Sequence, residues 1–365
     1  MEDCEVFFSH YVFTEDFDVA KDIKRIERWK KLKALYSHLV MCMGGSRMVV
    51  VTGGAGFIGS HLVDSLMLKG FHVRILDNLS GGDVGNVERW FGDGRFEFVE
   101  GDLKDFCVCE KAVDGVDVVF HLAANPDVRL GESDPSVHFR ENLLVTFNVL
   151  EAMRKSEAAK RIVFASTSTV YGEAHAFPTR EDYGPLLPIS VYGAAKLGCE
   201  GLISSYCHTF GFSGVLLRFA NVVGGKSKHG VIVDFARKLK QNRDELEILG
   251  DGKQKKSYLH VKDLVNAFFA VLPCLERAGS VEAFNVGSLD WVEVKRIAEI
   301  VCEEMGVKPK FRFNNVLGDG RGWKGDVKTM QLSVEKIMGL GWKPKLTSEE
   351  AVRQSCIEIL EEIKG

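Results

Sequence analysis

The sequence predicts an α/β fold in which helices cover both faces of a parallel β-sheet. Candidate strands and candidate helices alternate from Met48 onward, and such alternation is typical of a parallel sheet with crossover helices. The candidate strands are also near-continuous apolar runs, such as residues 161–165. Strands that are buried on both faces require such runs, whereas half-exposed strands alternate apolar and polar residues. The predicted fold class is therefore α/β, with a doubly wound parallel sheet.

The elements follow one another at short intervals along the chain. Strands are predicted at residues 48–52, 72–76, 96–99, 117–121, 161–166 and 214–219. Helices are predicted at residues 57–69, 104–113, 136–155 and 191–210. After Asn221 the pattern loosens into a mixture of helices and short strands. A length of 365 residues suggests about two domains, so we expect a Rossmann-type domain over residues 47–221 and a smaller, partly interleaved α/β lobe over residues 222–365.

Residues 1–46 do not belong to this alternating pattern. Residues 21–40 place apolar side chains near helical spacing among many lysines and arginines. One interpretation is a helix that binds a membrane surface or a partner. The other is an appended segment read through from an early start codon, because Met41, Met43 and Met48 all stand just before the first strand. We favour the second, in which residues 1–46 are an N-terminal extension that the fold does not need.

The composition excludes several classes of function. The chain has 47 basic and 51 acidic residues, a formal net charge of −4, which indicates neither nucleic acid nor an anionic membrane as a partner. Its nine cysteines include one close pair, Cys107 and Cys109, and no CxxC or zinc-type cluster. We therefore expect reduced thiols, a cytoplasmic location and no metal. No apolar run reaches the roughly 18 residues of a membrane span, and Met1 begins no signal peptide.

A glycine-rich turn joins the first strand to the first helix and predicts the cofactor. Gly53 permits a tight turn, Gly56 lets backbone amides approach a pyrophosphate, and Gly59 lets the helix pack closely on the strand. The helix N-terminus then offers free N–H groups to that phosphate. The next strand ends on Asp77, about 20 residues after the glycines, where a carboxylate would hold the adenosine ribose. Because this acid repels a 2′-phosphate, the spacing predicts NAD rather than NADP.

The next strand ends add further candidates, since ligands in such folds bind at the carboxyl ends of the strands. Asp102 follows the strand at 96–99 and either accepts a hydrogen bond from the adenine amino group or caps the following helix. The strand at 117–121 ends on His121 and continues into small residues, 122–125, along which backbone can lie against the cofactor. We interpret His121 as a packed, hydrogen-bonded histidine rather than a catalyst.

The chemistry is expected where the strand at 161–166 ends. Thr167 opens a run of hydroxyl residues that either serve the reaction or only satisfy local backbone groups. The next helix carries Tyr192 and Lys196, which share a helix face about 6 Å apart along the axis. Free tyrosine has a pKa near 10, too high for a base, but a neighbouring ammonium and the positive nicotinamide favour the phenolate. We therefore predict Tyr192 as the base, with Lys196 and Thr167 beside it.

From about Met48 to the C-terminus, the sequence resembles the extended short-chain dehydrogenase/reductase family, and within it the archaeal-type UDP-glucose (UDP-galactose) 4-epimerases. Residues 53–59, 77–78, 102–103, 192–196 and 217–224 carry the resemblance. It implies that Thr167, Tyr192 and Lys196 are the catalytic residues. It also implies an NAD site lined by Gly53, Gly56, Phe57, Ile58, Gly59, Asp77, Asn78, Asp102, Leu103, Leu122, Ala123, Ala124, Asn142, Tyr192, Lys196 and Phe219.

The same resemblance implies a UDP-sugar substrate and a homodimer. The implied substrate-binding residues are Thr167, Asn221, Lys256, Tyr258 and Arg321. Lys256 stands where many members have arginine, so a bidentate phosphate contact would become a point-charge contact. Arg321 resembles the second phosphate ligand. The alternative for each of these two cations is a solvated surface charge.

Two positions after Thr167 separate the possible reactions. The related 4,6-dehydratases carry Asp-Glu there and the UDP-glucuronate decarboxylases keep an acid, whereas this chain has Ser168 and Thr169. Neither hydroxyl acts as an acid or base near neutral pH. The resemblance therefore implies 4-epimerisation of UDP-glucose and UDP-galactose by transient oxidation at C4. The alternatives are an epimerase or oxidoreductase for another UDP-sugar, such as UDP-glucuronate or a UDP-N-acetylhexosamine, and a non-catalytic dinucleotide sensor.

Overall fold

The computed structural model describes residues 47–364, so the extension predicted for residues 1–46 lies outside the described residues. The strands are β1 Met48–Thr52, β2 His72–Asp77, β3 Phe96–Glu100, β4 Val118–His121, β5 Arg161–Thr167, β6 Ser213–Phe219, β7 Asn221–Val223, β8 Glu245–Leu249, β9 Lys255–Lys256, β10 Tyr258–His260, β11 Val281–Val286, β12 Val292–Glu293, β13 Lys310–Asn314 and β14 Thr329–Met330. The α-helices are α1 Phe57–Leu68, α2 Phe106–Val113, α3 Leu130–Ser133, α4 Ser136–His138, α5 Val145–Lys155, α6 Val191–Phe210, α7 Val231–Gln241, α8 Val261–Ala270, α9 Val294–Met305, α10 Glu335–Met338 and α11 Ser348–Lys364.

A seven-stranded parallel sheet with the order β11-β6-β5-β4-β1-β2-β3 forms the centre of the first domain. Successive side chains of β1 point to opposite faces, so Val49 and Val51 pack under α1 and α8 while Val50 packs under α2, α5 and α6. All three valines are fully buried. Because the sheet is buried on both faces, its strands are apolar runs in the sequence. The predicted doubly wound sheet is confirmed.

One strand of this sheet comes from the second half of the chain. β11 pairs in parallel with β6, and α8 packs beside α1, although both β11 and α8 lie within residues 222–365. The sequence pattern did not place this strand. Its short run, residues 281–286, contains Glu282 and Asn285, so it lacks the continuous apolar character by which the inner strands were recognised.

The remaining part of the chain forms a smaller lobe. Its strands make three small sheets, β10-β7, β12-β9-β14 and β13-β8. Helices α7, α9 and α11 pack around a separate apolar core that includes Phe235, Ile297 and Val352. This lobe meets the first domain at the carboxyl ends of β5 and β6, because β7 follows directly after β6.

The helix predicted over residues 136–155 is confirmed, and a π-helical turn lies within it. It consists of α4, a π-helical turn at Phe139–Leu144 and α5. The hydroxyl of Thr146 in α5 donates to the carbonyl of Asn142 in the turn at 2.7 Å. The Asn142 side chain bonds to the backbone of Asn125. A wider helical turn accommodates these polar contacts, and π-turns of this kind often occur at functional sites.

The described residues contain neither a membrane span nor a metal cluster. No helix within residues 47–364 is long and apolar enough to cross a membrane. Nor does that part of the chain gather three or more histidine, cysteine or acidic side chains in a geometry that would hold a metal ion.

Candidate active site

The glycine-rich turn has the close packing that the spacing predicts. Gly53 has φ of +71°, and a Cβ there would lie 2.9 Å from the Ala123 amide nitrogen. At Gly59 a Cβ would lie only 2.0 Å from the Gly53 carbonyl oxygen. Gly56 precedes α1, and no side chain caps that helix, which leaves its N-terminus for a phosphate. These residues therefore fit the pyrophosphate of a dinucleotide.

The carboxyl ends of β2 and β3 place three predicted cofactor residues together. Asp77 is 8% exposed, and its two carboxylate oxygens accept the amide N–H groups of Ala55 at 3.0 Å and Leu79 at 2.9 Å. Burial raises the pKa of this carboxyl group. Asn78 donates to Asp102 at 3.2 Å. Asp77 thus also holds the glycine-rich turn in place, a contact that the sequence pattern did not reveal.

His121 is a structural residue, as interpreted from the sequence. Its Nδ1 lies 2.7 Å from the Thr52 hydroxyl and its Nε2 lies 3.0 Å from the Thr146 hydroxyl. Complete burial lowers its pKa to about 3, so the ring is neutral. Thr52 in turn accepts the N–H groups of Leu122 and Ala123, each at 3.2 Å. This arrangement fixes the backbone that follows β4.

Three other predicted cofactor residues are already buried by the protein itself. Asn142 is 1% exposed, Leu103 is 6% exposed and Phe219 is 7% exposed. The Asn142 carboxamide accepts the Asn125 N–H at 2.7 Å, so it supports the loop after β4. Direct contact of these three side chains with the cofactor stays a prediction.

The structure brings Tyr192, Lys196 and Thr167 together at the carboxyl end of β5. Ser190 caps α6 by accepting the Gly193 N–H at 3.1 Å, which starts the helix directly before Tyr192. Lys196 is 3% exposed, and its Nζ donates to the Ala165 carbonyl at 2.9 Å. The Thr167 hydroxyl contacts the hydroxyl of Tyr192. The four-residue helical spacing thus places both side chains against the strand end, as predicted.

In the protein without its cofactor, the pKa of Tyr192 is raised rather than lowered. Burial raises the pKa of Tyr192 above its ordinary value of 10, and only the hydrogen bond with Thr167 opposes this shift. Burial likewise lowers the pKa of Lys196 to about 8. Lys196 is not among the groups that shift the pKa of Tyr192, and its ammonium donates to the Ala165 carbonyl. The predicted lowering also involves the positive charge of the nicotinamide, so it stays a prediction.

A cleft of about 260 Å³ lies between the two lobes. Of the predicted substrate residues, it is lined by Asn221, Lys256 and Tyr258, and Ser168 and Thr169 also face it. Asn221 and Tyr258 are partners in the β7–β10 pair. Lys256 Nζ lies 2.5 Å from a carboxylate oxygen of Asp326, whose side chain is 2% exposed. Lys256 is therefore an ion-paired residue of the cleft rather than a solvated surface charge.

Arg321 occupies a different position from the other predicted substrate residues. It lines a neighbouring hollow, where its guanidinium pairs with Asp319 and Glu173 and its Nε donates to the Asp326 carbonyl at 2.9 Å. The side chain is 19% exposed, so the solvated alternative is wrong here too. The Glu173 partner was not predicted, because residues 173 and 321 meet only through the tertiary fold.

Residues 49–287 match the NAD dependent epimerase/dehydratase family. The chain belongs to this family. A protein of Methanocaldococcus jannaschii, named provisionally as a UDP-glucose 4-epimerase, is 34% identical over 84% of this chain and 96% of its own length. Among solved structures, a UDP-galactose 4-epimerase is 45% identical with a TM-score of 0.77, covering 87% of this chain and 99% of that chain. The UDP-glucose 4-epimerase of Thermus thermophilus in complex with NAD is 33% identical with a TM-score of 0.73, covering 85% and 98%.

Membership of an NAD-dependent family makes the selectivity of Asp77 testable. We expect Asp77→Asn to reduce the preference for NAD over NADP at least about tenfold, or ~1.4 kcal/mol, because the amide no longer repels a 2′-phosphate. The dissociation constants of both nucleotides would be measured on nucleotide-free protein. Asp83→Asn is the control, since Asp83 is a carboxylate near the same turn, paired with Lys228 at 3.0 Å. An unchanged preference in Asp77→Asn would contradict the role assigned to this residue.

Proposed function

We propose that this protein is a UDP-hexose 4-epimerase that interconverts UDP-glucose and UDP-galactose with NAD. One observation carries the proposal. Thr167, Tyr192 and Lys196 meet at the end of β5, and the cleft beside them presents Ser168 and Thr169 where an elimination enzyme needs acids. Relatives and solved structures named UDP-glucose or UDP-galactose 4-epimerase support this proposal.

The proposed roles follow from where the side chains lie. Bound NAD would supply a hydride acceptor for C4 of the sugar and a hydride donor to the same carbon. Tyr192 removes the proton of the 4-hydroxyl and gives it back, while Thr167 hydrogen-bonds the same oxygen. Lys196 lies one helical turn after Tyr192 and would donate to the nicotinamide ribose. Because burial raises the pKa of Tyr192 in the protein alone, the phenolate needs the positive charge that the oxidised cofactor adds.

Substrate anchoring is proposed at the lobe interface. Asn221, Lys256 and Tyr258 would hold the UDP diphosphate and nucleotide, with the sugar towards Tyr192. Lys256 has three N–H donors, so its contact with Asp326 leaves donors for a phosphate. Arg321 joins this site only if the diphosphate replaces its present carboxylate partners, Asp319 and Glu173.

The same cleft disfavours dehydration. Of the described residues that line it, Asp326 carries the only carboxyl group, and that group is paired with Lys256. Ser168 and Thr169, the two residues after Thr167, supply neither an acid nor a base for C5 and C6 near neutral pH. Structures of a UDP-glucuronic acid 4-epimerase and of dTDP-glucose 4,6-dehydratases share the fold at 26% identity. A non-catalytic sensor has no need of the set Thr167, Tyr192 and Lys196. The remaining alternative is an epimerase or oxidoreductase that acts on another UDP-sugar.

We also propose that the protein forms a homodimer through the face that includes α5. Phe139 and Phe147 are 57% and 42% exposed and lie eight residues, or about two helical turns, apart. Large aromatic side chains exposed together indicate a protein contact. A second copy of the chain is the partner that the resemblance implies. A cytoplasmic location stays a prediction from the cysteine content.

Isotope retention distinguishes the proposed reaction from its alternatives. UDP-glucose deuterated at C4 should give UDP-galactose that keeps deuterium at C4, without accumulation of NADH or a 4-keto-6-deoxy sugar. The products would be separated and analysed by mass spectrometry and NMR. Parallel incubations with UDP-glucuronate and UDP-N-acetylglucosamine measure the sugar preference. A 4-keto-6-deoxy product or net reduction of NAD would contradict the epimerase proposal.

A further inference from the structure

A buried ion pair lies beside the residues proposed to carry the reaction. Glu200 follows Tyr192 and Lys196 at four-residue spacing on one face of α6. Its carboxylate is bound by Arg218 of β6 through two nitrogens, with Nη2–Oε2 at 2.7 Å and Nε–Oε1 at 3.0 Å. The two side chains are 5% and 8% exposed. Removing both charges from water is costly. The residues that hydrogen-bond to this ion pair therefore indicate what its burial achieves.

On one side, the ion pair holds the chain directly before Thr167. The Ser166 hydroxyl donates to Glu200 Oε1 at 2.5 Å. The preceding residue, Ala165, accepts the Lys196 ammonium through its carbonyl. The last residues of β5 are thus attached to the helix that carries Tyr192.

On the other side, the same ion pair holds the chain after Thr167. Arg218 Nη1 donates to the Tyr171 hydroxyl at 2.9 Å, and that hydroxyl donates to Asn285 at 2.7 Å. Tyr171 is 3% exposed and ends the 3₁₀ turn Ser168–Tyr171. Thr167 itself begins this turn by accepting the Thr169 N–H at 3.1 Å. Ser166 before Thr167 and Tyr171 after it therefore both bond to one ion pair.

We propose that Glu200 and Arg218 are positioning residues that act through Ser166 and Tyr171 to hold the Thr167 hydroxyl against Tyr192. The inference rests on the proposed function, because its measurable effect is on the reaction of Thr167 and Tyr192. A displacement of about 1 Å can slow a reaction about 100-fold. Loosening this network by one hydrogen bond should therefore slow catalysis and leave nucleotide binding unchanged.

Two small substitutions test the network without breaking the ion pair. Ser166→Ala and Tyr171→Phe each remove one hydroxyl, and each should lower kcat about tenfold at unchanged KM and NAD content. Ser213→Ala and Tyr206→Phe are matched controls. The Ser213 hydroxyl donates to Arg277 at 3.0 Å at the opposite end of β6, and the Tyr206 hydroxyl donates to Glu151 at 2.6 Å farther along α6. Both controls should keep wild-type kcat.

Coupling to Thr167 separates positioning from a general loss of stability. In a Thr167→Ala background, Ser166→Ala and Tyr171→Phe should cause no further loss of kcat, because the hydroxyl that they position is gone. Additive losses, or wild-type kcat in both single variants, would overturn the proposal.

The outcome for the network can be distinguished from the outcome for the proposed function. If the wild-type protein interconverts neither UDP-glucose nor UDP-galactose, the proposed function is wrong. Amide hydrogen exchange of residues 166–172 then tests the network by itself. Faster exchange in both variants than in the two controls supports it, and equal exchange overturns it.

Discussion

Tyr192→Phe should lower kcat by at least about 100-fold, the usual contribution of a general base. The substitution removes the phenol O–H that contacts Thr167 and leaves the ring that packs edge-on against His138, at 5.5 Å between ring centroids. The folded protein should therefore keep its NAD and bind UDP-sugar as before. Steady-state rates of UDP-galactose conversion, together with the NAD released on denaturation, measure both effects.

A second tyrosine provides the control for this substitution. The Tyr183 hydroxyl lies 2.8 Å from His175 on the exposed surface, so Tyr183→Phe should leave kcat unchanged. A folded Tyr192→Phe protein with a rate near that of the wild type would rule out Tyr192 as the base.

Gly59→Ala should abolish retention of NAD, with at least about a 100-fold loss of affinity. The added Cβ would lie 2.0 Å from the Gly53 carbonyl oxygen and 2.9 Å from the Gly54 Cα. Both atoms belong to the backbone of the turn proposed to hold the pyrophosphate, so no flexible side chain can move aside. The turn or the start of α1 must shift instead, and the amide groups would lose their arrangement around the phosphate.

Gly201→Ala is the matched control, because a Cβ at Gly201 meets no atom within 4 Å and the residue lies inside helix α6. Alanine is the better helix former at such a position, so this variant should bind NAD like the wild type and unfold at the same or a higher temperature. NAD content and thermal unfolding of both variants would be compared. Full NAD occupancy in Gly59→Ala would contradict the prediction, because it would mean that the turn accommodates the added Cβ.

Much of the fold could be predicted because its inner strands are buried on both faces. β1, β4 and β5 were recognised as apolar runs, and the glycines marked the turn that follows β1. β11 escaped recognition, since Glu282 and Asn285 interrupt it and its partner β6 lies more than sixty residues earlier. The π-helical turn before α5 was not predicted for a related reason. The polar contacts of Asn142 that accompany the π-turn involve Asn125, which lies outside that helix.

The proposed catalytic group could be predicted from local spacing. Tyr192 and Lys196 are one helical turn apart, so the period of the helix places them on one face whatever surrounds them. Their charge states could not be predicted in this way. Burial raises the pKa of Tyr192 and lowers that of Lys196, and burial depends on every segment that packs around the two side chains.

The sequence by itself determined the parallel sheet, the dinucleotide turn and the Tyr192–Lys196 pair, because each follows from periodicities within a few residues. Only the tertiary structure decided the ionic partners. Asp326 meets Lys256, Glu173 meets Arg321, and Glu200 meets Arg218 across segments far apart in the chain. A charged residue within a buried strand, such as Arg218 in β6, indicates that a partner exists, since an unpaired buried charge is too costly. Which carboxylate fills that role depends on distances that only the folded chain defines.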